Sequence, residues 1–228
     1  MARIVNAFGL VLLLVFATFV AVSLIAYDDW GAVAITLLGA LSAAVALATA
    51  RATRFLMAWG GRLAVLSVLC AAAGAVAGGR WFFAVSGLIL VLLLAVSAAA
   101  VLRAVVTEDR VGFRTILGAV SVYLTLGLLF AFLYVAVERI QHQPFFGAGV
   151  HVGRGDFPFF SMTTLTTTGY GNLVPAAQPG KMFAVLEMLL GQVFLVTLIA
   201  RLVSLWQPGR WLRQGAGLAQ DTSDEPGA

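Results

Sequence analysis

The chain contains five long stretches without a single Asp, Glu, Lys or Arg, and these stretches constrain its fold more than any other feature. Each is 17 to 24 residues long. At about 1.5 Å per residue, helices of this length cross or nearly cross a hydrocarbon layer of about 30 Å, and in such helices every backbone hydrogen bond is internal. The sequence therefore predicts membrane-spanning helices. The stretches are Ile4–Tyr27, Trp30–Ala50, Leu63–Gly79, Trp81–Leu102 and Thr115–Val137.

The composition agrees with this interpretation and excludes a soluble domain. Apolar residues make up 61% of the 228 residues and charged residues only 11%, whereas soluble domains are roughly one quarter charged. A sixth stretch, Gly180–Trp206, is apolar apart from Lys181, Glu187 and Arg201. We therefore expect an all-α integral membrane protein embedded in a lipid bilayer.

The basic residues predict the orientation of the chain. If the N-terminus is cytoplasmic, ten of the 14 Lys and Arg residues fall on inside segments and four on outside segments. Cytoplasmic segments carry such an excess in membrane proteins. We therefore expect a multi-pass protein of the cell membrane with both termini in the cytoplasm. The net charge of +4 is explained by orientation, and nucleic acid is not an expected partner.

The spacing of these stretches predicts three parts. Residues 1–106 would form four peripheral transmembrane helices, with Arg51–Arg62 as a cytoplasmic connection. Residues 107–207 would form a second unit, whose first helix would begin at Thr107 as N-cap. Residues 208–228 would form a short polar cytoplasmic tail without a fixed structure.

A connection of about 40 residues, Arg139–Pro179, separates the fifth and sixth apolar stretches, and connections of this length are usually functional. Within it, Asp156 is predicted to cap a short helix that carries Pro158 in its first turn. That helix is too short to cross a membrane. We expect it to enter the bilayer and return, which is possible where the backbone is buried in protein or lines a water-filled cavity.

The returning residues are Thr167-Thr168-Gly169-Tyr170-Gly171, called here the filter segment. A row of backbone carbonyls on one side of a chain requires alternating backbone conformations, which glycine tolerates and other residues resist. The glycines at 169 and 171 fit this requirement. The Tyr170 side chain would then point away from the axis and brace the segment against the short helix.

The filter segment resembles the selectivity filter of the potassium channel family, and the resemblance extends over Thr115–Trp206. It implies an outer helix, a re-entrant pore helix, the filter and an inner helix. It also implies that the carbonyls of residues 167–170, with the Thr167 hydroxyl, bind dehydrated K⁺. K⁺ is then the permeant ion and no cofactor is expected. One filter segment per chain implies a homotetramer with the pore on its fourfold axis.

Among the positions that differ from many members of that family are three in and around the filter segment. Thr168 stands where many have Val, Asn172 where many have Asp, and Thr163 where some have Glu. Support of the filter would therefore come from other contacts. Candidates are Thr163, Asn172 and two acids, Glu138 and Glu187.

Glu187 lies deep in the sixth apolar stretch, where acids are usually functional. It could bond hydroxyls of the pore helix, such as those of Thr163 or Thr164, and stiffen the filter. It could instead face the cavity and attract cations, or be satisfied without functional effect. Glu138 could bond the backbone that follows the filter near Val174, or lie at a solvated helix end.

The resemblance also assigns residues to the sixth stretch. Gly191 lies 20 positions after Gly171, at the family's gating hinge. Close packing against the pore helix would equally explain a glycine there. Helical spacing from this position predicts Gln192, Leu195 and Ile199 on the wall of the cavity.

Six helices with a pore at the end match the layout of voltage-gated channels, but the fourth stretch lacks their charges. A voltage sensor needs repeated basic residues, because one charge crossing 100 mV contributes about 2.3 kcal/mol. Trp81–Leu102 has none, and Arg80 and Arg103 only flank it. We therefore expect weak voltage dependence.

The leading interpretation is a potassium-selective, passive and largely voltage-independent channel, not an enzyme. One alternative is an ion-translocating subunit of a potassium uptake transporter, although such proteins carry four degenerate filter segments in one chain. Another is a membrane-embedded hydrolase. That alternative would need a nucleophile or an acid pair with a buried His, and both histidines lie in the connection before the filter segment.

Overall fold

The computed structural model describes residues 2–25, 28–107, 112–141, 143–147, 149, 152–153 and 155–205. The described residues form seven α-helices and no strand. The polar tail predicted for residues 208–228 lies outside the described residues. The helices are α1 (Ala2–Leu24), α2 (Asp29–Thr49), α3 (Arg54–Ala77), α4 (Arg80–Val106), α5 (Phe113–Gln141), α6 (Asp156–Leu165) and α7 (Gly180–Leu205).

Five helices in the described part of the chain, α2, α3, α4, α5 and α7, are long and apolar enough to cross a membrane. The apolar part of α1 spans Phe8–Leu24. Together with the all-helical architecture, these helices are those of a multi-pass membrane protein.

The beginning of α3 corrects one sequence prediction. The Thr53 hydroxyl accepts the N–H of Leu56 and caps the helix, so α3 starts at Arg54. The segment Arg51–Arg62 is therefore mostly helical and not a connection. The helix ends at Gly78, whose φ of +66° is a left-handed conformation that glycine adopts without strain.

Thr107 corrects a second prediction. It ends α4 instead of starting the next helix, because its N–H and its hydroxyl both bond the carbonyl of Arg103. A threonine satisfies unpaired backbone groups at either end of a helix, and here the C-terminal carbonyl is the partner. The next helix begins at Phe113.

Helix α5 occupies the centre of the chain and contacts α1, α4, α6 and α7. One hydrophobic cluster runs from the first four helices through α5 to the aromatic residues around α6. By contrast, much of α3 and α7 is exposed in the single chain. The packing thus holds α6 between α5 and α7, with the filter segment following it.

Candidate functional site

Helix α6 begins at a glycine rather than at the predicted Asp156 cap. Gly155 is the N-cap residue, with a φ of +84°, and Asp156 is the first helical residue. The Asp156 carboxylate accepts the N–H of Gly153 at 2.5 Å. It folds the preceding turn instead of capping the helix. Pro158 lies in the first turn, where its missing N–H leaves no helical bond unmade.

An aromatic cluster that the sequence analysis did not predict surrounds the beginning of α6. Tyr134 of α5 packs against Phe145 and Phe160, with ring centroids 5.0 and 5.2 Å apart. Phe146 packs against Phe157 at 5.1 Å. The run Phe145-Phe146 was the available signal, since two adjacent aromatic residues in a polar connection are commonly buried. The cluster fixes α6 against α5.

The filter segment has an alternating backbone. Thr167, Gly169 and Gly171 have φ values of +57°, +51° and +80°, whereas Thr168 and Tyr170 between them do not have positive φ. The glycines take this conformation without strain, and Thr167 does so at a cost of roughly 1–2 kcal/mol. Alternation of this kind can direct successive carbonyls to one side of the chain.

The last turn of α6 holds this backbone in place. The Thr163 carbonyl accepts the N–H groups of Thr168 at 2.8 Å and Gly169 at 3.1 Å, and the Thr164 carbonyl accepts that of Thr167 at 2.9 Å. The Thr163 hydroxyl donates to the carbonyl of Phe160. Thr163 therefore contacts the filter segment through its backbone.

Tyr170 lies against α6 as the sequence suggested. Its ring stacks on that of Phe159, with centroids 5.8 Å apart and planes 8° from parallel. Tyr170 is 71% exposed in the single chain. Asn172, the other predicted support residue in this region, is exposed.

Gly191 of α7 lies against the C-terminal end of α6. A Cβ atom at this position would overlap the carbonyl oxygen of Leu165, so glycine permits the close approach. The hydroxyl of Tyr123 in α5 donates to the same carbonyl at 3.1 Å. The geometry is that of close packing, and a hinge at Gly191 stays a prediction.

The predicted cavity residues share one side of α7. Gln192 and Ile199 are exposed in the single chain, and Leu195 is half-buried. The Gln192 amide donates a hydrogen bond of 2.9 Å to the Thr167 hydroxyl. Gln192 thus reaches the beginning of the filter segment, a contact that helical spacing alone did not indicate.

Glu187 is fully buried between α5, α6 and α7. Its carboxyl group accepts a hydrogen bond of 2.6 Å from the Tyr134 hydroxyl and contacts the Ser161 hydroxyl. The predicted partners Thr163 and Thr164 are therefore wrong, because α6 turns Ser161 toward α7. Complete burial is also at odds with Glu187 facing an open cavity in this chain.

Glu138 corrects another predicted contact. Its carboxyl group is hydrogen-bonded by the backbone of Phe145, not by the backbone near Val174. The Phe145 carbonyl in turn accepts the N–H of Ala176 at 2.9 Å. Glu138 is thus linked to the segment after the filter through one intervening residue.

Comparison with known proteins adds to this geometry. The family model described as ion channel matches residues 119–207, which include most of α5, all of α6 and the filter segment, and α7. The voltage-gated delayed rectifier potassium channels KCNH5 of Homo sapiens and Mus musculus are each 37% identical to this chain over 49 residues. The alignment covers 22% of this chain and 5% of each relative. No solved structure matches the chain significantly.

Proposed function

We propose that this protein is a potassium-selective channel that conducts K⁺ passively across a cell membrane. Its residues 119–207 match the ion channel family model, and 49 of its residues are similar to potassium channels. The observation that carries this proposal is the alternating backbone of the filter segment at Thr167, Gly169 and Gly171. Backbone carbonyls directed to one side can replace the hydration shell of a cation, the mechanism known for potassium filters.

The proposed assembly is a homotetramer with the pore on its axis. One chain contributes one filter segment, so four copies are needed for a closed ring of carbonyls. The exposed apolar surface of α7 supports this assembly: Leu189, Val193 and Val196 are 58 to 64% exposed in the single chain. In the tetramer these positions would either contact neighbouring copies or line the pore.

In this assembly α5 is the outer helix, α6 the re-entrant pore helix and α7 the inner helix, with α1–α4 at the periphery. The C-terminal end of α6 would direct its partial negative charge toward the axis below the filter and favour a cation there. The distribution of basic residues supports cytoplasmic termini. The ion channel family is not an enzyme family, and the proposal includes no catalytic step.

Voltage independence is also part of the proposal. The name voltage-gated belongs to the relatives, whose similarity to this chain is confined to 49 residues. Helix α4 carries Arg80 at its first position and Arg103 in its last turn, with no basic residue between them. Because both arginines lie at the ends of α4, the helix has no row of basic residues that could move stepwise across the membrane.

The test is ion flux and single-channel recording with purified protein in lipid bilayers, with K⁺ on one side and Na⁺ on the other. We expect discrete openings and a reversal potential close to that of K⁺. Cross-linking in the membrane should give a ladder that ends at four chains. Equal permeability to Na⁺, or uptake without unitary openings as in a transporter, would contradict the proposal.

A further inference from the structure

Three polar side chains from three helices meet inside the protein. Tyr134 of α5, Ser161 of α6 and Glu187 of α7 are each 0% exposed. The Tyr134 hydroxyl lies 2.6 Å from Oε2 of Glu187, and the Ser161 hydroxyl contacts Oε1. Both partners of the carboxyl group are thus hydroxyls, and neither is a cation that would stabilise a buried carboxylate.

The hydroxyl of Ser161 has a second neighbour. Its Oγ also lies 2.7 Å from the carbonyl oxygen of Gly127 in α5. A carbonyl oxygen only accepts hydrogen bonds, and a serine hydroxyl has a single proton to donate. If the Ser161 proton goes to Gly127, the contact with Glu187 lacks a proton unless the carboxyl group supplies one.

One arrangement gives every contact its own proton. Tyr134 donates to Oε2 of Glu187, a protonated Oε1 donates to Oγ of Ser161, and Ser161 donates to the carbonyl of Gly127. An ionised Glu187 would leave two oxygens in contact without a proton between them, and the hydrogen-bond partners of its carboxyl group are hydroxyls, not cationic side chains. The geometry therefore favours a neutral carboxyl group.

We propose that Glu187 is a positioning residue that carries a proton and joins the three helices through a one-directional hydrogen-bond chain from Tyr134 to Gly127. This hydrogen-bond chain needs a side chain at position 187 that accepts a hydrogen bond from Tyr134 and donates one to Ser161. The part of this inference that concerns ion conduction rests on the proposed function, and the protonation of Glu187 does not.

The position of Ser161 explains how this hydrogen-bond chain acts on the filter segment. Ser161 lies two residues before Thr163, whose carbonyl holds the N–H groups of Thr168 and Gly169. Gly127 allows α6 to come this close, because a Cβ atom there would lie 2.5 Å from Sδ of Met162. Because Ser161 is bonded to both neighbouring helices, the turn of α6 that holds the filter segment by backbone hydrogen bonds is also fixed.

The first measurement is infrared spectroscopy of the purified protein, residues 1–228, in lipid at neutral pH. We expect a carbonyl stretching band of a protonated carboxylic acid that shifts in ²H₂O and disappears in Glu187→Gln. The control variant Asp29→Asn, which changes the first residue of α2, should keep the band. A wild-type spectrum without this band, or a band that persists in Glu187→Gln, would overturn the proposal.

The second measurement compares substitutions at position 187. Glutamine accepts from Tyr134 through its oxygen and donates to Ser161 through its amide, so Glu187→Gln should keep the K⁺ over Na⁺ permeability ratio within about twofold of wild type. Glu187→Ala leaves buried hydroxyls without partners and should lower the ratio roughly tenfold or more. If Glu187→Ala does not assemble, Ser161→Ala, which removes one link only, should give the same direction of change.

The outcomes separate this inference from the proposed function. A protein that shows the infrared band, loses it in Glu187→Gln and yet conducts no K⁺ would contradict the channel proposal alone. A potassium channel in which Glu187→Gln is as damaging as Glu187→Ala would contradict the hydrogen-bond chain alone.

Discussion

The side-chain amide of Gln192 donates a hydrogen bond of 2.9 Å to the hydroxyl of Thr167. This contact joins α7 to the first residue of the filter segment. The Thr167 hydroxyl itself donates to the carbonyl of Thr166 at 2.7 Å. If this hydroxyl oxygen binds the innermost K⁺, the amide of Gln192 competes with the ion for its lone pairs.

Removal of this amide should strengthen the innermost ion site. In Gln192→Ala the Thr167 oxygen no longer accepts a hydrogen bond worth about 0.5–1.5 kcal/mol. We expect the K⁺ concentration for half-maximal single-channel conductance to fall by roughly two- to tenfold. Val203→Ala, a change at an exposed position farther along α7, should leave it unchanged. A higher half-saturating concentration in Gln192→Ala would contradict this account.

The glycines of the filter segment provide a second prediction with a matched control. Gly169 has a φ of +51° and Gly78, in the turn after α3, has a φ of +66°, and open space surrounds both. Alanine at either position should therefore destabilise the fold by about 1–2 kcal/mol through the same backbone strain.

The two variants should differ in function. Gly169→Ala should abolish the preference for K⁺ over Na⁺, because relief of the strain rotates the adjacent carbonyls. Gly78→Ala should lower thermal stability and keep the permeability ratio of the wild type. Bi-ionic reversal potentials and thermal unfolding in the same lipid measure both quantities. Equal losses of selectivity would show that general destabilisation, not the filter backbone, is responsible.

A substitution at Gly191 can distinguish a packing role of this residue from a hinge role. In Gly191→Ala the new methyl group meets the carbonyl oxygen of Leu165, and overpacking of this kind typically costs about 1–3 kcal/mol. We expect a lower thermal midpoint of the protein in lipid and reduced flux. Gly61→Ala in α3, where nothing lies within 4 Å, should stabilise the protein slightly.

A hinge would behave differently from a packing contact. If Gly191 acts only as a bending point of α7, Gly191→Ala should assemble with wild-type stability and selectivity and show a lower open probability. Measuring the thermal midpoint beside single-channel open probability therefore decides between the two roles. An unchanged midpoint would contradict the packing role that the geometry supports.

The helical spans were predictable because their signal is simple. An uncharged run long enough to cross a bilayer has few alternatives, and α2 and α4 begin and end within a few residues of their predicted bounds. Helix ends were harder to predict. Thr107 carries a hydroxyl that can satisfy backbone groups at either end of a helix, and the sequence does not indicate which end is adjacent.

The contacts around the filter segment were less predictable. The sequence marks Glu187 as an unusual acid, but its partner depends on the rotation of α6 against α7. That rotation is set by Gly127, Gly191 and the aromatic residues around Tyr134, which act together through packing. Ser161 and Tyr123 were missed for this reason: a hydroxyl in an apolar helix gives no sign of the neighbour that it will bond.

The few charges of α4 should make the protein respond only weakly to membrane voltage. A voltage sensor of about three to four charges per subunit gives a steep response, since each charge contributes about 2.3 kcal/mol per 100 mV. Helix α4 offers only Arg80 and Arg103, at opposite ends. Arg80 is also held at the end of α5, where it donates to the carbonyl of Arg139 at 2.7 Å.

Open probability in planar bilayers should therefore change with voltage by less than about one gating charge per subunit. Arg103→Gln should leave even this weak slope unaltered, because its side chain lies at the end of α4 rather than within the span. The measurement is open probability against voltage in symmetric K⁺, from hyperpolarised to depolarised potentials. A steep curve equivalent to several charges per subunit would mean that charge outside α4 moves through the field, and the four-helix bundle would then have to be treated as a sensor.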